Sequence, residues 1–205
     1  MRMSNTPPIQ SPSNPDSNQT TLWRGLADLV KTALVVIVLV VITRGFILQP
    51  FIVDGSSMEP RFHTNDYLLV DKISYRLHPV TRGDIIVFKY PLQTSVNYVK
   101  RVIGLPGETV KIQNGSVYII NSQYPDGLAL SEPYVIDHAE TLLPSGAADA
   151  QYVVPANEYF VMGDNRPASS DSRSWGFVPK DDIIGRVDVQ AFPLNEFTFI
   201  SDPKY

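Results

Sequence analysis

Thr109–Ile120 reads TVKIQNGSVYII. Apolar and polar side chains alternate on both sides of Asn114-Gly115, the period of a half-buried strand. Asn-Gly supplies the two positive-φ positions of a type I′ turn, whose twist matches the strands it joins. The stretch therefore predicts an antiparallel hairpin, and its neighbours extend that prediction in both directions. Leu105-Pro106-Gly107-Glu108 puts Pro and then Gly at the centre of a type II turn. Upstream, DYLLVDKISY (66–75), DIIVFKY (84–90) and YVKRVIG (98–104) have strand character. Downstream, QYVVPANEYFVMGD (151–164) and IIGRVDVQAF (183–192) repeat it. Residues 121–150 are looser and more polar, an excursion from the sheet, and no repeat of solenoid length is present. The predicted fold is mainly β: packed antiparallel sheets over residues 49–205, with a small inserted β region at about 121–150.

The N-terminal quarter follows other rules. Residues 1–20 are rich in Pro, Ser, Asn and Gln, a composition that buries too little surface to offset its ordering entropy. We expect a disordered tail over 1–25, cytoplasmic only if the span is oriented by something other than its charges. It is not a secretory signal, because the apolar run starts late and no small-residue cleavage pattern follows. That run, Thr32–Thr43, is TALVVIVLVVIT, uncharged and bounded by Lys31 and Arg44. With Leu26, Ala27, Leu29 and Val30 before it and Phe46, Ile47 and Leu48 after it, it reaches the roughly 20 residues a span needs. Lys31 and Arg44 can snorkel their charges to the interfaces. One transmembrane helix over 26–48 is expected. The β-branched content also suits a buried strand or core helix, but the polar tail offers such an element no packing partner. Arg24 and Lys31 balance Arg44 and Arg61, so the positive-inside count does not orient the span.

Composition removes several classes of chemistry. The net charge of −4 over 205 residues argues against a nucleic-acid footprint, which would be basic. The absence of cysteine excludes disulfides, thiolate nucleophiles and cysteine-held zinc. His63, His78 and His138 share no ligand spacing, so no metal and no cofactor is expected. A Ser-His-Asp triad has no local signature here.

Three stretches carry candidate chemistry. VDGSSMEP (53–60) holds two adjacent serines, and a serine hydroxyl needs a neighbouring base to act as a nucleophile. In YVKRVI (98–103), strand alternation puts Tyr98, Lys100 and Val102 on one face and Val99, Arg101 and Ile103 on the other. Apolar neighbours disfavour the charged form of Lys100 and lower its pKa. A neutral lysine can take a serine's proton. Taken alone, Lys100 reads as a lysine whose amine reaches water, and MGDNRPASSDSRSWGFVP (162–179) as a solvated loop.

In combination these stretches resemble type I signal peptidases, the membrane-bound Ser/Lys proteases. PFIVDGSSMEP, DYLLVDKISY, RGDIIVF, YVKRVIGLPGE and MGDNR…SSDSRSWGFVP follow one another in the family's order, from the anchor to about Arg186. The resemblance implies Ser57 as nucleophile, Ser56 being excluded, and Lys100 as general base. It implies that Ser169 hydrogen-bonds the lysine amine, that Asp164 pairs with Arg101, and that Asp171 pairs with Arg173. Val53, Met58, Phe62, Tyr98 and Val99 would line shallow apolar subsites that admit small residues at −1 and −3. The implied activity is removal of signal peptides from exported preproteins. The implied partners are those preproteins and the lipid bilayer. The implied place is a cell membrane or a thylakoid-type membrane, single-pass, with the catalytic domain on the outer face. Two positions depart from the family pattern. Pro167-Ala168 stand where Asp-Asn is common. Gly55 stands where some relatives carry a serine that completes the oxyanion hole, which leaves the Ser57 N–H as the identified donor.

Two other classes share some of these features. A self-cleaving Ser/Lys regulator would need a DNA-binding module, for which the chain has no room. A non-catalytic anchored β module would lack Ser57 or Lys100. The tripeptide Arg82-Gly83-Asp84 and the sequons at Asn18 and Asn114 are common by chance and read as turn and tail sequence.

Overall fold

Both proposed turns form with the backbone they require. In the computed structural model, which describes residues 16–205 other than 47, 136, 138, 202 and 204, Asn114 and Gly115 have φ of 50° and 75°. They join β5 (Thr109–Gln113) to β6 (Ser116–Ile120) with Gln113 opposite Ser116. Gly107 has φ of 82°, and the Glu108 N–H donates to the Leu105 carbonyl, closing the preceding turn. His138 and residues 1–15 lie outside the described residues.

Two antiparallel sheets result. The larger contains β1 (Leu48–Ile52), β2 (Tyr67–Asp71), β3 (Ile85–Tyr90), β4 (Gln93–Gly104), β9 (Glu158–Met162), β10 (Val178–Pro179) and β11 (Ile183–Phe192). Their order is β1-β2-β11-β3-β4-β9-β10, and β12 (Thr198–Phe199) pairs with β11. The smaller sheet has the order β7-β6-β5-β8, with β7 at Leu128–Ala129 and β8 at Asp149–Val153. The inserted β region thus draws on 109–153 and is wider than the excursion expected at 121–150. Short helices at Ser74–Leu77 (α2) and Ser172–Trp175 (α3) complete this unit. The first of them stands where the strand-like stretch 66–75 was expected to continue.

Alternation in β4 hands its side chains to different cores. Val102 packs with Ile86, Phe88 and Val161. Ile103 packs with Val110, Ile119, Phe160 and Met162, which welds the larger sheet to the smaller. A third cluster, Val53, Met58, Phe62, Leu68, Val70, Ile85 and Val87, seats the segment after β1. Each large side chain fully buried in these clusters contributes about 1.5–3 kcal/mol.

The chain divides into two compact units, Met1–Thr43 and Arg44–Tyr205. Helix α1 runs Asp16–Phe46, all but its last three residues in the first unit, and so covers part of the expected tail. Leu48, expected to close the span, instead opens β1. Every side chain described on this helix, Trp23 to Val40, is exposed, so the described part of the apolar run, Thr32 to Val40, is neither a buried strand nor a core helix. Among the described residues no helix is long and apolar enough to cross a membrane. The described stretch carries Arg24, Asp28 and Lys31 ahead of its apolar turns.

Candidate active site

Ser57 and Lys100 are 43 positions apart in the chain, yet Lys100 Nζ lies 2.7 Å from Ser57 Oγ. Two elements bring them together. Lys100 belongs to β4, opposite Ile86 of β3, deep in the larger sheet. Ser57 lies in a turn after β1, and its successor Met58 is buried as an anchor at 1% exposure. The amine also donates to the Val99 carbonyl at 3.0 Å and sits 5.2 Å from the centre of the Tyr98 ring. Lys100 is 3% exposed. Desolvation pushes its pKa down from 10.5 to about 8, against the opposing pull of Asp171 and Asp164. No hydrogen bond joins the Ser56 hydroxyl to this amine among the described residues.

The loop after β9 closes the back of the site. Arg101, beside Lys100 on β4, holds Asp164 through two parallel bonds, Nε to Oδ1 at 2.8 Å and Nη2 to Oδ2 at 2.6 Å. Both groups are buried. Arg173 holds Asp171 in the same forked way, at 2.8 and 2.7 Å. It also donates to the carbonyls of Leu142 and Arg166. Both expected ion pairs are therefore formed. Gly163 fits because it has no side chain: a Cβ there would stand 2.4 Å from the Ser57 carbonyl and 2.3 Å from Ser169 Oγ.

Two expectations meet a different arrangement. Ser169 lies beside Gly163, but its hydroxyl is buried without a hydrogen-bond partner among the described residues, so the expected bond to the lysine amine is not formed. Met58 and Phe62 are wholly buried in the core beneath the site and do not line the cavity in front of it. Apolar residues next to a nucleophile suit a pocket wall and a core equally well. Val53, Tyr98 and Val99 do line that cavity, which has a volume of about 410 Å³. Sequence reading missed Phe51, Leu68, Val87 and Ala168, which also line it. Strand alternation around β1, β2 and β3 is the signal that could have found the first three.

Neither His63 nor His78 faces the cavity. Among the described residues, His63, Asp66 and Glu196 alone gather metal-ligating atoms within 4.8 Å of one another. There the Gln190 amide donates to both carboxylates, at 2.9 and 3.2 Å, which accounts for their convergence.

A buried lysine against a serine, walled by a forked ion-pair loop, is the arrangement of a Ser/Lys hydrolase. The family model described as signal peptidase, peptidase S26, matches residues 26–192. A probable signal peptidase I-1 of Synechocystis sp. is 37% identical over 191 residues, 87% of this chain and 91% of that protein. A signal peptidase I of Leptolyngbya laminosa is 37% identical over 96% of this chain and 94% of its own length. The crystal structure of a signal peptidase I from Enterococcus faecalis is 34% identical, covers 54% of this chain and 97% of its own, and has a TM-score of 0.43. The chain belongs to the signal peptidase family, peptidase S26, and is a serine endopeptidase.

Proposed function

We propose that Ser57 is the nucleophile and Lys100 the general base in removal of signal peptides from exported preproteins. The observation that carries this reading is the 2.7 Å contact between Ser57 Oγ and an amine buried enough to titrate near 8. With the amine neutral, the hydroxyl donates to its lone pair. Oγ then attacks the carbonyl carbon of the −1 residue, and Lys100 takes the proton. Charge develops on the carbonyl oxygen, where the Ser57 N–H can donate. The tetrahedral centre collapses, the C–N bond breaks, and the lysine ammonium returns its proton to the leaving amine of the mature protein. A water, deprotonated by Lys100, attacks the Ser57 ester; the acyl C–O bond breaks, the lysine ammonium returns the proton to Ser57 Oγ, and the signal peptide leaves with its new carboxylate. Val53, Tyr98 and Val99 would enclose small residues at −1 and −3.

A membrane setting supports the same reading. The uncharged run Thr32–Thr43 lies within α1, whose described side chains, Trp23 to Val40, are exposed. The catalytic unit exposes Ile52, Tyr67, Phe192, Leu194, Phe197 and Phe199. Residues 26–48 would anchor the chain, and these side chains would meet the lipid interface, with preproteins arriving on the outer face. The test is cleavage of a membrane-targeted preprotein with the cut bond mapped. Ser57→Ala and Lys100→Arg should be inactive, since guanidinium stays protonated. Ser56→Ala should retain most turnover. A dead Ser56→Ala beside an active Ser57→Ala would reassign the nucleophile.

A further inference from the structure

The geometry points to Asn165 as the residue that aims the Ser57 N–H at the reacting carbonyl, an inference that rests on Ser57 being the nucleophile. Asn165 is 7% exposed and holds both carbonyls that flank the nucleophile. Its side-chain Nδ2 donates to the Ser56 carbonyl at 3.1 Å. Its backbone N–H donates to the Ser57 carbonyl, also at 3.1 Å. The Ser56–Ser57 bond is not among the cis peptides of the described residues, which are Glu59-Pro60 and Phe192-Pro193. In a trans peptide the N–H points opposite to the C=O. Drawing the Ser56 oxygen toward Asn165 therefore turns the Ser57 N–H the other way. Gly55, Ser56 and Ser57 line the cavity on that other side, and Asn165 does not. The Ser57 N–H has no partner among the described residues, as a donor kept for a developing oxyanion should not.

The peptide needs such a tie because its own surroundings restrain it weakly. Gly55 before it has φ of 104° and nothing within 4 Å of where a side chain would start. Its N–H donates to Thr64 Oγ1, an exposed contact. The Glu59 N–H also donates to the Ser56 carbonyl, but Glu59 belongs to the same turn and moves with it. Asn165 is held from outside the turn, by the chain between Asp164, locked to Arg101, and Arg166, locked to Glu132. A rotation of the Ser56–Ser57 peptide would replace a donor in the cleft by a carbonyl oxygen, which repels the oxyanion. Asn165 is on this account a positioning residue: it acts through the backbone of Ser57 and touches no substrate atom.

The full chain in detergent, with a preprotein substrate, provides the test. Asn165→Ala should lower kcat by roughly 10- to 100-fold, at or below the low end of what removal of an oxyanion donor costs, because the donor is misaimed and not removed. KM should stay within about twofold, because the interaction serves the transition state. The ascending limb near pH 8, which belongs to Lys100, should not move. A peptide boronate, whose adduct with Ser57 places an oxygen where the oxyanion forms, should bind more weakly by a similar factor. Asn165→Asp keeps the shape but sets an acceptor against the Ser56 carbonyl, so it should lose at least as much kcat as the alanine variant. A kcat within about threefold of the parent for Asn165→Ala overturns the assignment, as does a loss seated in KM or in a displaced pH limb. Failure of both variants to fold overturns it too, since Asn165 would then be a structural residue. Ser57→Ala and Lys100→Arg separate the two levels. Turnover by either sinks the catalytic reading itself, whereas their inactivity beside a fully active Asn165→Ala sinks only the role of Asn165.

Discussion

A lysine displaced from 10.5 to about 8 is charged at neutral pH in most molecules and neutral in a minority. Only the neutral form can accept the Ser57 proton, so kcat/KM should climb through pH 7 and level above about 8. Initial rates between pH 5 and 10 check this, and a flat profile would contradict the dyad. Gly55 invites a second test at this scale. Some relatives have a serine there, and a Cβ at Gly55 would meet no atom within 4 Å. Space is therefore not the obstacle, but φ of 104° is. A side chain in left-handed backbone costs about 1–2 kcal/mol. Gly55→Ser should lower the unfolding midpoint without raising kcat, and a rise in kcat would show that the turn relaxes to use the new hydroxyl. The residues of the Ser57–Lys100 contact and of both ion pairs were legible in the sequence because each sits in a dense local motif. Asn165 sits in the same motif, but its work depends on a carbonyl 109 positions away. No spacing announces such a contact, nor did any warn that the Ser169 hydroxyl would lack a hydrogen-bond partner among the described residues.

At the scale of elements, the site exists because β9 lies beside β4, with Met162 opposite Arg101. The chain leaves β9 directly into the loop that reaches Ser57, and the Arg101–Asp164 pair fixes where that loop departs. The Arg101 guanidinium also donates to the Gly83 carbonyl at 2.9 Å and lies 4.0 Å over the Tyr134 ring. Asp164→Ala would leave a buried guanidinium short of its counterion, a loss of about 3–5 kcal/mol. Arg101→Leu combined with Asp164→Ala should recover part of it, because no uncompensated charge remains. Urea unfolding of the three variants measures this, and a cost below about 1 kcal/mol for Asp164→Ala would place the pair in the class of weak surface bridges. The hairpin β5–β6 was readable because Asn-Gly dictates its own turn. The breadth of the inserted sheet was not. Its last strand, β8, begins at Asp149, inside the stretch whose polar composition suggested an excursion. The same excursion is fastened to the site by Glu132 on Arg166 and by the Leu142 carbonyl on Arg173, contacts that carry no local period.

For the molecule as a whole, the buried lysine is a burden on the fold. Lys100 is 3% exposed, and its ammonium form gains only partial return from Asp171 and Asp164. The folded-state pKa lies below the ordinary value, so between about 8 and 10.5 the folded chain binds fewer protons than the unfolded chain. Raising the pH through that window therefore stabilises the fold. Below about 8 both states carry the charge, and the folded state bears the full cost of burying it, about 3 kcal/mol for this displacement. Lys100→Met keeps a long unbranched side chain and removes the charge. It should abolish cleavage and raise the unfolding midpoint, most at pH 7 and below. The gap between parent and variant should narrow as pH climbs from 8 toward 10.5, because the parent sheds its buried charge there. Thermal unfolding of both chains in the same detergent across pH 6–10.5 reads the effect. A gap that is constant with pH would mean that Lys100 reaches water, and the proton-accepting role would lose its physical basis.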